Sequence, residues 1–68
     1  MIKEHVFYKA KDNLEGKTSP GGYFYVYQCA DTVSFGVAPK PQEELLTGDV
    51  FKVQPEVFDN LIETDATY

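Results

Sequence analysis

The sequence contains no arginine, one cysteine and one histidine. Arginine is the residue best suited to bidentate contacts with phosphate, carboxylate and guanine edges. Its absence, with eleven acids against six lysines and a net charge of −5, argues against direct nucleic-acid binding. Cys29 alone cannot close an intrachain disulfide. With His5 it supplies two soft ligands where a structural zinc takes four, so no metal or other cofactor is expected. A lone cysteine suits a reducing compartment, and the expected location is the cytoplasm. Long apolar runs are missing as well. The longest uncharged stretch, residues 18–30, opens on Thr-Ser-Pro-Gly-Gly and is too short and irregular to span a membrane. The start, Met-Ile-Lys-Glu-His, is charged too early for a signal peptide. A soluble protein with no membrane contact is expected.

What is present is aromatic and acidic. Ten of the 68 residues are Phe or Tyr. The length implies one domain, residues 1–68. A chain this short buries only ~60% of the surface its unfolded form exposes. Without a disulfide or metal, stability has to come from aromatic burial, self-association as a homodimer, or a partner. Charge is uneven along the chain. Residues 1–40 are nearly balanced, while residues 41–68 carry Lys52 against seven acids.

Residues 5–11 read as a strand with Val6, Tyr8 and Ala10 on one face. Residues 12–22 read as a long Gly/Pro/Ser connection, long enough to be mobile or functional. Residues 23–30 form the clearest strand, and 33–38 the next. A two-residue turn at Asp31-Thr32 would pair Val26 with Val37, Gln28 with Phe35, Ala30 with Val33, Cys29 with Ser34, Tyr27 with Gly36 and Tyr25 with Ala38. Phe24, Val26, Val33, Phe35 and Val37 would then share one face, with tyrosines opposite small residues on the other. A three-residue loop would slip the pairing by one and turn the second strand over. Pro39-Lys40-Pro41 stiffens the link. Residues 42–46 suit a helical turn and 50–54 a strand. Pro55 can open a helix over 55–63, with Val57, Phe58, Leu61 and Ile62 inward and Glu56, Asp59 and Glu63 outward. Residues 64–68 are expected to fray. The expected fold class is α+β: a small antiparallel sheet of three to four strands with a short C-terminal helix. The alternative is an SH3-like small β-barrel of five strands, with 55–60 as one turn before a last strand.

No motif carries a specific chemistry. Gly16-Lys17-Thr18 resembles a phosphate loop only in part, because Lys11 stands where the first glycine belongs and no helix pattern follows. Cys29 as a nucleophile lacks a base and a group to lower its pKa, so a packed strand cysteine is the simpler reading. His5 reads as a surface histidine. The pairs Asp12/Glu15 and Glu43/Glu44 are acid/base residue types. A sheet this small, however, offers little room for a cleft of about 300 Å3. An enzyme is therefore not expected. Two features remain. Tyr23, Tyr25 and Tyr27 alternate and share a face, either covered by the 12–22 connection or exposed as an aromatic platform. Glu56, Asp59, Glu63 and Asp65 form an acidic stripe, either solvated or docked on a basic partner.

The expected function is a non-catalytic protein-binding module, with Tyr23, Tyr25, Tyr27, Glu56, Asp59, Glu63 and Asp65 as partner-binding residues. In size, acidity and lack of catalytic residues the chain resembles, as a type, small phage-encoded inhibitors of host enzymes or defence complexes. That likeness implies a protein partner, with a basic surface where the acidic stripe docks. Nucleic-acid mimicry by the acids is one form of it. The alternative is a small structural subunit of a larger assembly, and a small enzyme or ligand carrier ranks third.

Overall fold

The computed structural model describes residues 2–11, 22–41 and 50–67, with 64–67 described by backbone path alone. The long connection, the 42–46 turn, the Gly16-Lys17-Thr18 motif and the carboxylates Asp12, Glu15, Glu43 and Glu44 lie outside the described residues. The elements are β1 (Phe7–Ala10), β2 (Tyr23–Cys29), β3 (Val33–Ala38), β4 (Phe51–Val53), α1 (Pro55–Leu61) and β5 (Ile62–Thr67). They form one antiparallel sheet in the order β4-β3-β2-β1-β5. The sheet curls into a half-barrel, with a short helix, the one helix among the described residues, linking its two edge strands. Among the described residues no helix is long and apolar enough to cross a membrane.

Five strands replace the expected three to four, and β5 lies where fraying was expected. Its local sequence, Ile-Glu-Thr-Asp-Ala-Thr, is a weak strand signal. The free edge of β1 supplies the missing incentive, since strand formation depends more on available pairing than on intrinsic preference. Tyr8 pairs with Thr67 and Ala10 with Ile62, with an irregularity between them. The same edge ends the helix two residues before the expected Glu63. Lys11 N–H donates to Leu61 C=O at 2.8 Å, satisfying a carbonyl the last helical turn leaves orphaned. Ile62 is already extended, at φ −109° and ψ 155°, so the chain passes from helix to strand without a loop. At the other end Pro55 opens the helix, and Phe58 N–H donates to Gln54 C=O at 3.0 Å.

A seven-residue helix has little stability of its own. Phe58 holds it in place. Its ring is fully buried and meets Tyr8 edge-on at 5.7 Å, Phe35 at 5.2 Å and Phe24 at 5.8 Å between centroids. Phe24 and Phe35 meet at 5.0 Å, and Phe51 joins Phe35 at 5.8 Å. Val26, Val33, Val37 and Ala10 complete the core. The Tyr8 oxygen accepts from Lys3 N–H at 2.8 Å, so its polar tip is satisfied. Val57, expected inward, is 45% exposed. The helix is too short for a wide apolar stripe, and Phe58 with the partly buried Leu61 takes the inner face.

From Tyr23 to Val26 the β2–β3 pairing keeps the expected faces but not the expected partners. Tyr23 pairs with Ala38, Phe24 with Val37, Tyr25 with Gly36 and Val26 with Phe35. This is a shift of two residues from the expected pairing, which preserves which side each residue faces. Nearer the turn, Gln28 pairs with Ser34 and Cys29 with Val33, closing a three-residue loop rather than a two-residue turn. The resulting one-residue slip is absorbed by a bulge at Tyr27, between Val26 and Gln28. Without it, β3 would present Val33, Phe35 and Val37 to the wrong side. Gln28, expected opposite Phe35, is therefore exposed, and Cys29 packs against the core instead of lying on the tyrosine face.

Phe58→Ala is expected to cost about 3–5 kcal/mol, as for large aromatics in cores, and to leave the domain largely unfolded. Val57→Ser should fall within about 0.5 kcal/mol of the parent, as an outward substitution does. Urea titration followed by circular dichroism distinguishes the two. Equal losses would show that Phe58 does not seat the helix.

Candidate functional site

The side of the sheet away from Phe58 is also aromatic. Phe7 on β1 stands directly across from Tyr25 on β2, with ring centroids 4.8 Å apart at 53°. Tyr25 and Tyr27 meet edge-to-face at 5.0 Å and 81°. Tilted and edge-on pairs of this kind add about 0.5–1.5 kcal/mol each beyond their buried area. Alternation along β2 keeps Tyr27 on the side of Tyr25, and the bulge there returns Cys29 to the core. Gly36 lies across from Tyr25 on β3 and Ala38 across from Tyr23. Both are buried, so these small residues let the neighbouring rings lie low over the sheet. Phe7, Tyr23, Tyr25 and Tyr27 are all half-buried. The tyrosines are thus neither the covered core nor the fully open platform considered from sequence. Whether the 12–22 connection overlies them lies outside the described residues.

The rim of this face is polar. Lys9, across from Tyr23, makes a 3.9 Å ion pair with Glu63 of β5. Both groups are well exposed, so the pair adds little stability. Lys52 of β4 pairs with Ser34 and points to solvent. Next to Tyr25, the His5 ring lies 6.5 Å from the tyrosine ring, with Nδ1 3.4 Å from the phenol oxygen. His5 and Phe7 belong to this site and were not among the candidates from sequence. The Phe7 signal was available, since it alternates with Val6 and Tyr8 and must face the tyrosines once those face the core. The His5 contact depends on a backbone turn that sequence does not announce.

The acidic stripe is divided. Glu56 and Asp59 are exposed on α1. Glu63 is on β5 and turned toward Lys9, because the helix ends at Leu61. Asp65 lies on β5, with its side chain outside the described residues. Among the described side chains Lys3, Lys9, Lys11, Lys40 and Lys52 balance Glu4, Asp31, Glu56, Asp59 and Glu63. The chain's net charge of −5 therefore resides in the remaining residues.

Cys29 is half-buried, and its backbone N–H donates to Glu4 Oε2 at 2.9 Å. Among the described residues no group of three His, Cys, Asp or Glu is placed to hold a metal ion. No protein-family model, no curated protein and no solved structure matches the chain.

Truncating Tyr25 removes contacts with two rings from a half-buried position. Tyr25→Ala is expected to cost about 1–3 kcal/mol, clearly less than Phe58→Ala. Thermal unfolding of the purified variant checks this. A loss as large as that of Phe58→Ala would assign Tyr25 to the core, and no loss would show that the cluster does not pack.

Proposed function

We propose that the chain is a non-catalytic protein-binding module that grips its partner with the aromatic side of the sheet. The carrying observation is the half-buried Phe7–Tyr25–Tyr27 cluster, packed ring against ring yet not covered by the described core. Such a cluster is already ordered before it binds, so a partner gains contact area at a low cost in side-chain entropy. Tyrosine adds a polar tip to that area, which is why it is enriched at interfaces. The polar rim at Lys9, Lys52 and Glu63 suits the edge of a contact patch. A small domain of this kind fits the role of an inhibitor that occludes a host enzyme or defence complex, and the reducing compartment expected for a lone cysteine fits a cytoplasmic target.

The acidic surface is the weaker anchor. Its residues are split between α1 and β5, and Glu63 is partly neutralised by Lys9. Docking on a basic partner and nucleic-acid mimicry would need a continuous acidic row. A second reading, a structural subunit of an assembly, draws on the two edge strands β4 and β5, where an edge offers backbone groups to another strand. The acids Glu63 and Asp65 on β5 oppose such pairing between like copies.

The test is affinity capture from extracts of cells in which the chain occurs, with mass spectrometry of what is retained. Tyr25→Ser with Tyr27→Ser should weaken capture of the partner at least tenfold while circular dichroism still reports a folded sheet. Glu56→Lys with Asp59→Lys should change capture much less. The opposite pattern would move the interface to the helix. Concentration-dependent assembly in sedimentation, with no partner retained, would favour the structural subunit.

A further inference from the structure

Among the described residues, His5 is the one non-glycine residue with positive φ, at 60°. A side chain with a Cβ is disfavoured there, and such a residue persists only where its surroundings hold it. The surroundings here are specific. His5 N–H donates to Val26 C=O at 2.7 Å, and Val26 N–H donates to Val6 C=O at 3.0 Å. One residue earlier, the Glu4 carboxylate accepts from Cys29 N–H at 2.9 Å. Val26 and Cys29 flank the bulge at Tyr27. The Glu4–His5 turn is therefore fastened to β2 on both sides of its bulge. The left-handed turn also leaves the imidazole beside the Tyr25 phenol, and Tyr25 in turn packs edge-on against Tyr27.

We propose that His5 is a strained positioning residue, whose unfavourable backbone turn fixes the Tyr25 phenol and, through it, the geometry of the aromatic face. This deepens the protein-binding reading and rests on it for its biological purpose. The physical claim stands in the free protein and needs no partner. A residue that served only the fold would be better as glycine, which accepts φ near 60° without steric cost. Retaining histidine adds only a long, exposed 3.4 Å contact with Tyr25. That contact is too weak to explain the residue by stability, yet it is suitably placed to hold an orientation.

The test compares His5→Gly and His5→Asn with the parent chain in two measurements. Thermal unfolding should put His5→Gly at or above the parent midpoint, because glycine carries no steric cost there, and His5→Asn close to it, because asparagine tolerates the left-handed region about as well as histidine. Ring NMR of tyrosine-labelled protein, with Tyr25 assigned through Tyr25→Phe, should show displaced and broadened or averaged Tyr25 signals in both variants. Tyr27 should shift by less, and Tyr8 should not move. The chain has no tryptophan, so near-ultraviolet circular dichroism reads the same loss of tyrosine order independently. Unchanged Tyr25 signals in both variants would overturn the proposal. So would a lower melting midpoint in both, which would make His5 an ordinary structural residue. Failure of partner capture by the parent chain would count against the protein-binding reading alone, since both measurements here are made without a partner.

Discussion

The fold depends on one ring entering the hollow of a sheet. Phe58 meets Tyr8 of β1, Phe24 of β2 and Phe35 of β3, and so fastens three strands to the helix that carries it. No disulfide or described metal cluster is present to do this. In a domain this small the hydrophobic contribution is limited, and large aromatic side chains supply it in the fewest residues. The position of Phe58 also dictates the path after it. Once the ring is seated, Leu61 lies against the end of β1, Lys11 takes its carbonyl, and the chain continues along the open edge as β5. The pairing of β1 with a fifth strand therefore follows from where one phenylalanine is buried.

A second consequence concerns the other side of the sheet. Since Phe24 and Val26 must face the Phe58 ring, Tyr23 and Tyr25 have to face away from it. The three-residue loop threatens this arrangement by shifting β3 one position against β2. The bulge at Tyr27 restores the match of inward faces between the two strands, and Tyr27 stays on the outer side with Tyr23 and Tyr25. The core and the aromatic face are thus two outcomes of one constraint. No substitution at the bulge that reverses the parity could keep the core intact, so the geometry of the outer cluster is tied to stability even though its rings are only half-buried.

Much of this was legible in the sequence, and the part that was not has identifiable causes. The β2 and β3 strands, their inward residues, the Pro55 helix start and the shared side of Tyr23 and Tyr25 follow from period-two and helical spacing, which encode faces. Pairing partners do not follow, because a shift of two residues leaves every face unchanged and produces no conflict in the pattern. β5 was absent from the main reading and present only as the last strand of the five-stranded alternative, because its residues have little strand preference and its existence depends on a free edge contributed from the far end of the chain. The placement of Glu63 in the acidic stripe changed for the same reason. The stripe assumed a helix through Glu63, and pairing with β1 ended that helix at Leu61. Phe7 was accessible to the same alternation that identified Tyr8. His5 was not, since its placement arises from a single dihedral angle and from contact with Tyr25, twenty residues away in the chain.

The distribution of cost across the molecule separates its two sides. The rings of Tyr8, Phe24, Phe35 and Phe58 on the inner side are buried against one another, and among the described residues no non-glycine residue on that side has a positive φ. The strained residue sits at the margin of the outer side, where its side chain adds one weak exposed contact. Local conflict with an otherwise consistent fold is the pattern that marks a functional position rather than a packing one. The glycine at position 36 sharpens the point. Glycine weakens a central strand, yet a larger residue there would lift the Tyr25 ring that lies across from it. At both His5 and Gly36 the sequence therefore gives up some backbone stability, and at both the beneficiary is the same ring. That convergence makes Tyr25, rather than the more numerous acids, the centre of the aromatic face proposed for binding.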